Sequence, residues 1–242
     1  MSRDAAAELA PTGVLRAAIN LGNFLLVTGR GAHGEPQGVA PDMAAEIAAH
    51  LGVGIEYVPF ARPDALADAA DDWVWDIGLI GAEPARAEKI AFTTAYVEIE
   101  AAYLVPSGSP IERLEQVDRP GVRIAVLAKA AYDLWLERNI RRATLVRSNT
   151  ADGALKLFAD GEADVLAALR PGLVTDLDRF PGARILDGQF TAVQQAIGTL
   201  RKNVAGAAFL QSFVDEAKRS GLVAQLIERH GVTGRLVVAP PA

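Results

Sequence analysis

Short apolar runs rich in branched residues alternate with amphipathic stretches along the whole chain, and that alternation restricts the fold to an α/β class. Leu15-Arg16-Ala17-Ala18-Ile19 is the first strand-like run, followed by Ile55-Glu56-Tyr57-Val58-Pro59 and Asp76-Ile77-Gly78-Leu79-Ile80. Between them, residues 42–51 set Met43, Ile47 and Leu51 at helical spacing until Gly52 stops the helix. Residues 64–70 form a shorter helix, and Pro84 opens another at its first position. Tyr103-Leu104-Val105-Pro106 leads into the turn Ser107-Gly108-Ser109-Pro110, after which a second α/β series begins. It holds strands over 122–126, 143–146, 164–169 and 184–186, a helix over 130–139, and a helix ending at Asp160 that Asn149 or Thr150 can cap. Residues 204–230 give two amphipathic helices split at Ser220-Gly221. No segment of the sequence repeats.

A unit interrupted by a second unit and then resumed by terminal helices reads as two Rossmann-like lobes joined by a two-crossing hinge. Lobe 1 takes residues 1–102 and 194–242, and lobe 2 takes 103–193. Ligands preferentially occupy the cleft in such an arrangement, and hinge closure around them is a recognised switching mode. The 242 residues suffice for two cores. A net charge of −6 argues against nucleic acid or an anionic membrane as partner. The lack of cysteine excludes disulfides, thiolate catalysis and thiolate metal sites. No apolar run approaches the roughly 20 residues of a membrane span, so no direct membrane insertion is expected. Met1-Ser2-Arg3-Asp4-Ala5 lacks the apolar region of a secretory signal. The expected location is therefore periplasmic if a signal has been removed, and cytoplasmic if Met1 is the native start.

Five blocks occur in an order that resembles the polar-amino-acid branch (family 3) of the bacterial ABC-transporter solute-binding proteins. They are Gly38-Val39-Ala40-Pro41-Asp42-Met43-Ala44, Trp75-Asp76-Ile77-Gly78, Arg86-Ala87-Glu88-Lys89-Ile90-Ala91-Phe92-Thr93-Thr94-Ala95-Tyr96, Gly121-Val122-Arg123-Ile124-Ala125-Val126 and Leu157-Phe158-Ala159-Asp160-Gly161-Glu162-Ala163-Asp164. The resemblance runs from about Thr12 to about Gly231 and implies the type II periplasmic-binding fold. It also implies a monomer that closes on a small organic acid or amino acid and presents it to an ABC permease.

The family's key arginine falls on Arg86, which the resemblance makes the bidentate partner of a ligand carboxylate, a geometry lysine cannot copy. Local chemistry agrees, because Glu83-Pro84 starts a helix directly after a strand end and free N–H groups there favour an anion. The plain alternative is a surface arginine paired with a neighbouring glutamate. Several positions depart from the family pattern. Gly81 stands where a serine or threonine is usual, leaving only backbone. Lys129-Ala130 replaces the Gly-Ser or Gly-Thr that begins the first helix of lobe 2. Leu169, followed by Arg170, replaces the aspartate that holds a ligand ammonium, and Asn20 and Asn23 replace acidic and aromatic residues. A cleft that has lost an anion suits an acid without a free ammonium group, because an unpaired buried charge is costly. Glu100, near the first crossing, is the obvious substitute counter-charge.

Asn20 and Asn23 read equally as ligand contacts or as turn residues. Lys129 and Arg170 are either cleft cations or solvated charges, and Asn149 a ligand contact or simply a helix cap. One of Gln194 and Gln195, near the return crossing, is expected to reach ligand. Phe24, Tyr57, Phe60 and Trp75 can wall a cleft or fill a core, with Phe24 the first choice for the cleft. His33, His50 and His230 have no carboxylate at metal spacing, and no nucleotide or nucleophile motif occurs, so no metal, cofactor or covalent catalysis is expected. Two other functions fit the same fold: catalysis resembling that of cyclohexadienyl dehydratases, where a cleft carboxylate acts as general acid, and cytoplasmic small-molecule sensing.

Overall fold

A computed structural model describes residues 3–241. Met1 and Ser2, on which the reading of the chain's start rests, lie outside the described residues. The chain divides into two compact units, one made of Met1–Glu98 with Gln194–Ala242 and the other of Ile99–Val193. Helix α1 (Arg3–Leu9) precedes strand β1 (Val14–Asn20), the small β2–β3 hairpin (Gly29–Arg30, Pro36–Gln37), α2 (Val39–Leu51) and β4 (Gly54–Phe60). Then come α3 (Pro63–Asp68), β5 (Ile77–Gly81), the single-turn α4 (Pro84–Ala87), β6 (Ile90–Phe92) and β7 (Val97–Val105), which carries the chain into the second unit. That unit continues with β8 (Arg123–Leu127), α5 (Ala131–Asn139), β9 (Thr144–Ser148), α6 (Ala151–Ala159), β10 (Val165–Leu169), α7 (Arg170–Asp176) and β11 (Arg184–Ile185). Strand β12 (Thr191–Leu200) carries the chain back, and α8 (Val204–Arg219), α9 (Leu222–Arg229) and β13 (Val237–Val238) complete it. No helix among the described residues is long and apolar enough to cross a membrane.

In the first unit β1 lies parallel between β4 and β5, in register from Val14↔Gly54 to Asn20↔Phe60 on one side and Ala17↔Ile77 to Ile19↔Leu79 on the other. Strand β12 joins β5 antiparallel, with Gln195 opposite Gly81. Every residue of β5 is buried, as a central strand covered on both faces requires. Trp75 packs with Ala18, Leu66 and Ile80 and donates its indole N–H to the Leu66 carbonyl at 3.1 Å, which makes it core rather than cleft wall. In the second unit β8 lies parallel between β9 and β10, and β10 runs antiparallel to β7. Alternate residues of these strands feed separate clusters. Tyr103, Ile124, Val126, Val165 and Ala167 pack with Leu136 of α5, while Leu104, Ala125 and Leu166 pack with Leu155 and Phe158 of α6.

The two units repeat one device that the sequence does not display as a repeat. Asp76 Oδ2 accepts from the backbone N–H and Nε of Arg16 at 2.9 and 3.1 Å, Oδ1 accepts from Nη2 at 2.7 Å, and the Asp76 N–H returns to the Arg16 carbonyl at 2.9 Å. In the second unit Asp164 and Arg123 make the same four bonds at 2.9, 3.1, 2.8 and 2.9 Å. Each fork ties the first parallel strand to the residue just before its neighbour.

Two elements begin earlier than their sequence suggests. Helix α2 starts at Val39, because Pro41 falls in the first turn, where its missing N–H has no partner to lose. Gly38 makes that start possible: at φ 151° its chain passes so close to Leu26 that a Cβ would stand 2.2 Å from the Leu26 carbonyl oxygen. Strand β7 starts at Val97, its first half hidden in sequence by Glu98 and Glu100 alternating with buried Val97 and Ile99.

The forks differ in exposure, Asp76 being 5% exposed and Asp164 partly solvated. Asp76→Ala, which removes a buried acceptor from the Arg16 N–H and its half-buried guanidinium, is expected to cost about 2 kcal/mol. Asp164→Ala should cost about 1 kcal/mol or less. Urea unfolding curves of the two variants measure the difference. The fork with Arg123 also holds the Asp164 carboxyl below its ordinary range. Its contribution is therefore full at neutral pH and lost as pH falls below about 3.9 through the folded value.

Candidate functional site

Arg86 is the best-defined candidate. It sits in α4, the single turn after β5, where the Arg86 and Ala87 N–H groups both donate to the Glu83 carbonyl at 2.9 Å. The residue is only 7% exposed, and Nη1 donates to the Gly81 carbonyl at 2.7 Å. Burial pulls its pKa down, opposed by the fields of Glu83, Asp64 and Asp68, yet a guanidinium stays charged at neutral pH. The result is a cation fixed at a strand end. One turn carries little macrodipole, so the charge at this place belongs to the side chain and not to the helix end that the sequence suggested. Gly81, expected to offer only its N–H, contributes its carbonyl as the anchor of Arg86.

Asn20 and Asn23 spend their side-chain oxygens on the turn after β1. Asn20 Oδ1 accepts from the Gly22 N–H at 3.1 Å, and buried Asn23 accepts from Leu25 and Leu26 at 3.2 and 3.3 Å. Gly22 has no room for a side chain there, since a Cβ would lie 2.8 Å from the Ala61 carbonyl oxygen. Phe24, next along, is 47% exposed, with the Arg235 guanidinium 5.5 Å from its ring centre. Tyr57 donates its hydroxyl to the Pro41 carbonyl at 3.1 Å. Gln194 accepts from the Ala82 N–H through its backbone at 2.7 Å. Gln195 is buried, and its side-chain Oε1 finds no donor among the described residues.

In the second unit Lys129 is exposed and holds a left-handed backbone, φ 59°, unusual for a residue with a side chain. Its N–H donates to Asp133 Oδ2 at 2.8 Å, and Arg147 Nε bonds both oxygens of the same carboxylate at 2.9 and 3.1 Å. Asp133 is 2% exposed, and burial raises its pKa against the pull of these donors. Ala130, the ligand-binding candidate that lacks the family's hydroxyl, is buried, and its N–H donates to the Leu127 carbonyl at 3.3 Å.

Arg170 and Glu100 were separate expectations, one a cleft cation and the other a counter-charge for an ammonium. The second unit begins at Ile99, so both belong to it, and they face each other with Arg170 Nε 2.6 Å from Glu100 Oε2. The approach is too oblique for a hydrogen bond, leaving the buried Nε without one, while Nη2 bonds the Gly188 carbonyl. Neither charge is available alone. The cap of α6 is Thr150, whose Oγ1 accepts from the Gly153 N–H at 3.0 Å, and Asn149 is exposed just before it.

Sequence reasoning missed three features. Asp133 and Arg147 are 14 residues apart on helix and strand, a pairing without a local signal. His230, considered in sequence only for carboxylates at metal spacing, meets Asp42 through Nε2 at 2.8 Å across 188 residues. An open recess of about 320 Å³ in the first unit is lined by Thr93, Thr94, Glu98 and Gln194 among others, and only Gln194 had been singled out. Among the described residues no three His, Cys, Asp or Glu side chains gather as a metal set.

Comparison with known proteins bears on this arrangement. Residues 26–233 match the model of the bacterial extracellular solute-binding proteins, family 3. Cyclohexadienyl dehydratase of Pseudomonas aeruginosa is 26% identical over 223 residues, covering 90% of this chain and 82% of that protein. Among solved structures, a mutant of ArgBP from T. maritima superposes with a TM-score of 0.74 at 21% identity, covering 94% of this chain and 99% of that one. The binding component of an ABC transporter from Wolinella succinogenes, complexed with lysine, gives 0.74 at 20% identity over 90% and 95%. At these identities the structural likenesses speak for the fold, which is of the type II periplasmic-binding kind.

Thr150→Ala is expected to lower stability by about 1 kcal/mol through loss of the cap, and Asn149→Ala to leave it within about 0.5 kcal/mol. Thermal denaturation of both variants measures the contrast.

Proposed function

The chain belongs to the bacterial extracellular solute-binding proteins of family 3, and on that premise we propose that it closes its two lobes around a small carboxylate-bearing molecule and delivers it to an ABC importer. The observation that carries this reading is Arg86, a buried guanidinium oriented by the Gly81 carbonyl at the end of β5. A planar guanidinium fork takes a carboxylate through two parallel bonds. Closure needs only a ligand that binds the closed state better than the open one.

The ligand we favour is an acid without a free ammonium, such as a dicarboxylate, keto acid or hydroxy acid. Leu169 brings no charge to the place where the family resemblance puts an aspartate, and Glu100, the substitute, is engaged by Arg170. Catalysis is the second reading, favoured by the 26% identity to the dehydratase, with Glu100 or Glu83 as the carboxyl groups that would have to serve as acid.

A thermal-shift screen against amino acids and their deaminated counterparts tests the proposal. A ligand at a hundredfold excess over Kd should stabilise the fold by about 2.7 kcal/mol. The shift is expected with ammonium-free acids, and Arg86→Lys should weaken binding by about tenfold or more. Stabilisation by plain amino acids alone would overturn the ligand class. An aromatic product formed from a cyclohexadienyl dicarboxylate would favour the enzyme.

A further inference from the structure

We propose that the recess beside Glu98 is a second binding site, separate from Arg86, that takes a small molecule bearing one ammonium group. Its walls are fixed. The C-terminal strand β13 pairs with the start of β7, Val237 opposite Glu98 and Val238 opposite Val97, and the Ala239 N–H donates to the Tyr96 carbonyl at 3.1 Å. Lys218 Nζ reaches the Pro240 carbonyl at 3.0 Å, which holds the tail in place as one side of the recess. On the opposite side, Gln211 binds the Thr94 N–H and hydroxyl at 2.8 and 3.0 Å.

The polar groups along these walls are largely engaged. The Ala82 N–H is taken by the Gln194 carbonyl at 2.7 Å. Thr93 Oγ1 donates to the Thr94 carbonyl at 2.7 Å and accepts from the Ile197 N–H at 3.2 Å. The Glu98 carboxylate is different. It is half-buried, lies in the lining next to Ala82, Ala95 and Ala239, and among the described residues has neither hydrogen-bond nor ion-pair partner. An ionised carboxylate is an acceptor only, so its complement is a donor carrying positive charge. Lys218, which also lies 3.4 Å from Thr94 Oγ1, puts a positive charge behind the same walls. Glu98 offers a single negative charge to pair with one ammonium, and the Lys218 charge would repel a second.

The site stands or falls independently of the Arg86 reading, since Arg86 does not line the recess. Titration of the full chain with ethylammonium chloride, followed by amide NMR against potassium chloride at equal ionic strength, tests it. Saturating shifts at Thr94, Glu98 and Ala239 are expected, retained within a few fold in Arg86→Ala. Glu98→Gln should weaken binding at least tenfold, and Glu98→Asp, which keeps the charge, should weaken it less. Shifts that rise linearly without saturation, that potassium reproduces, or that survive Glu98→Gln would overturn the proposal.

Discussion

The arginine–aspartate fork is the interaction on which the rest of each unit depends. A parallel strand pair has no tight turn to set its register, and its two strands are joined only through a long crossover. In the first unit Asp76 bonds both the backbone and the guanidinium of Arg16, so β5 enters the sheet at one defined residue. Gly81, Ala82 and Arg86 follow at fixed distances along the chain. Asp164 and Arg123 do the same for β10, which ends at Leu169 just before Arg170. The residues that carry candidate chemistry thus sit at the far ends of strands whose near ends are forked. The preference of α/β sheets for binding at the carboxyl ends of their strands fits that arrangement.

Much of the fold was legible because the elements obey simple periods. The runs around Ile19 and Leu79 are buried strands, the run around Val58 is a half-exposed one, and Ser220-Gly221 divides the two terminal helices as their patterning implies. Boundaries failed where one local signal concealed another. Pro41 looked like a barrier to a helix already under way, and two glutamates disguised the first half of β7.

The candidate site was legible only as far as residues act alone. Arg86 could be found because a matched block surrounds it and its anchor is five residues away. Asn23 takes the turn role that was one of its two readings, and the cap of α6 falls on Thr150, chemistry that every such sequence offers. Asp133 with Arg147, and His230 with Asp42, are pairings that exist only after folding. Charge counting in sequence could not see that Arg170 and Glu100 pair. Two opposite charges were entered separately in a tally of the cleft, and in the folded chain they cancel.

That cancellation makes Glu100 a tethered competitor. It is a carboxylate already seated on Arg170, present at the high effective concentration of a group on the same rigid unit. Any incoming acid that recruits Arg170 enters by exchange and sets Glu100 free in water. Recognition at that arginine is then a comparison between two carboxylates, not an encounter with a bare cation. An acid that binds Arg170 no better than Glu100 does gains nothing there, a threshold that a bare positive charge would not set.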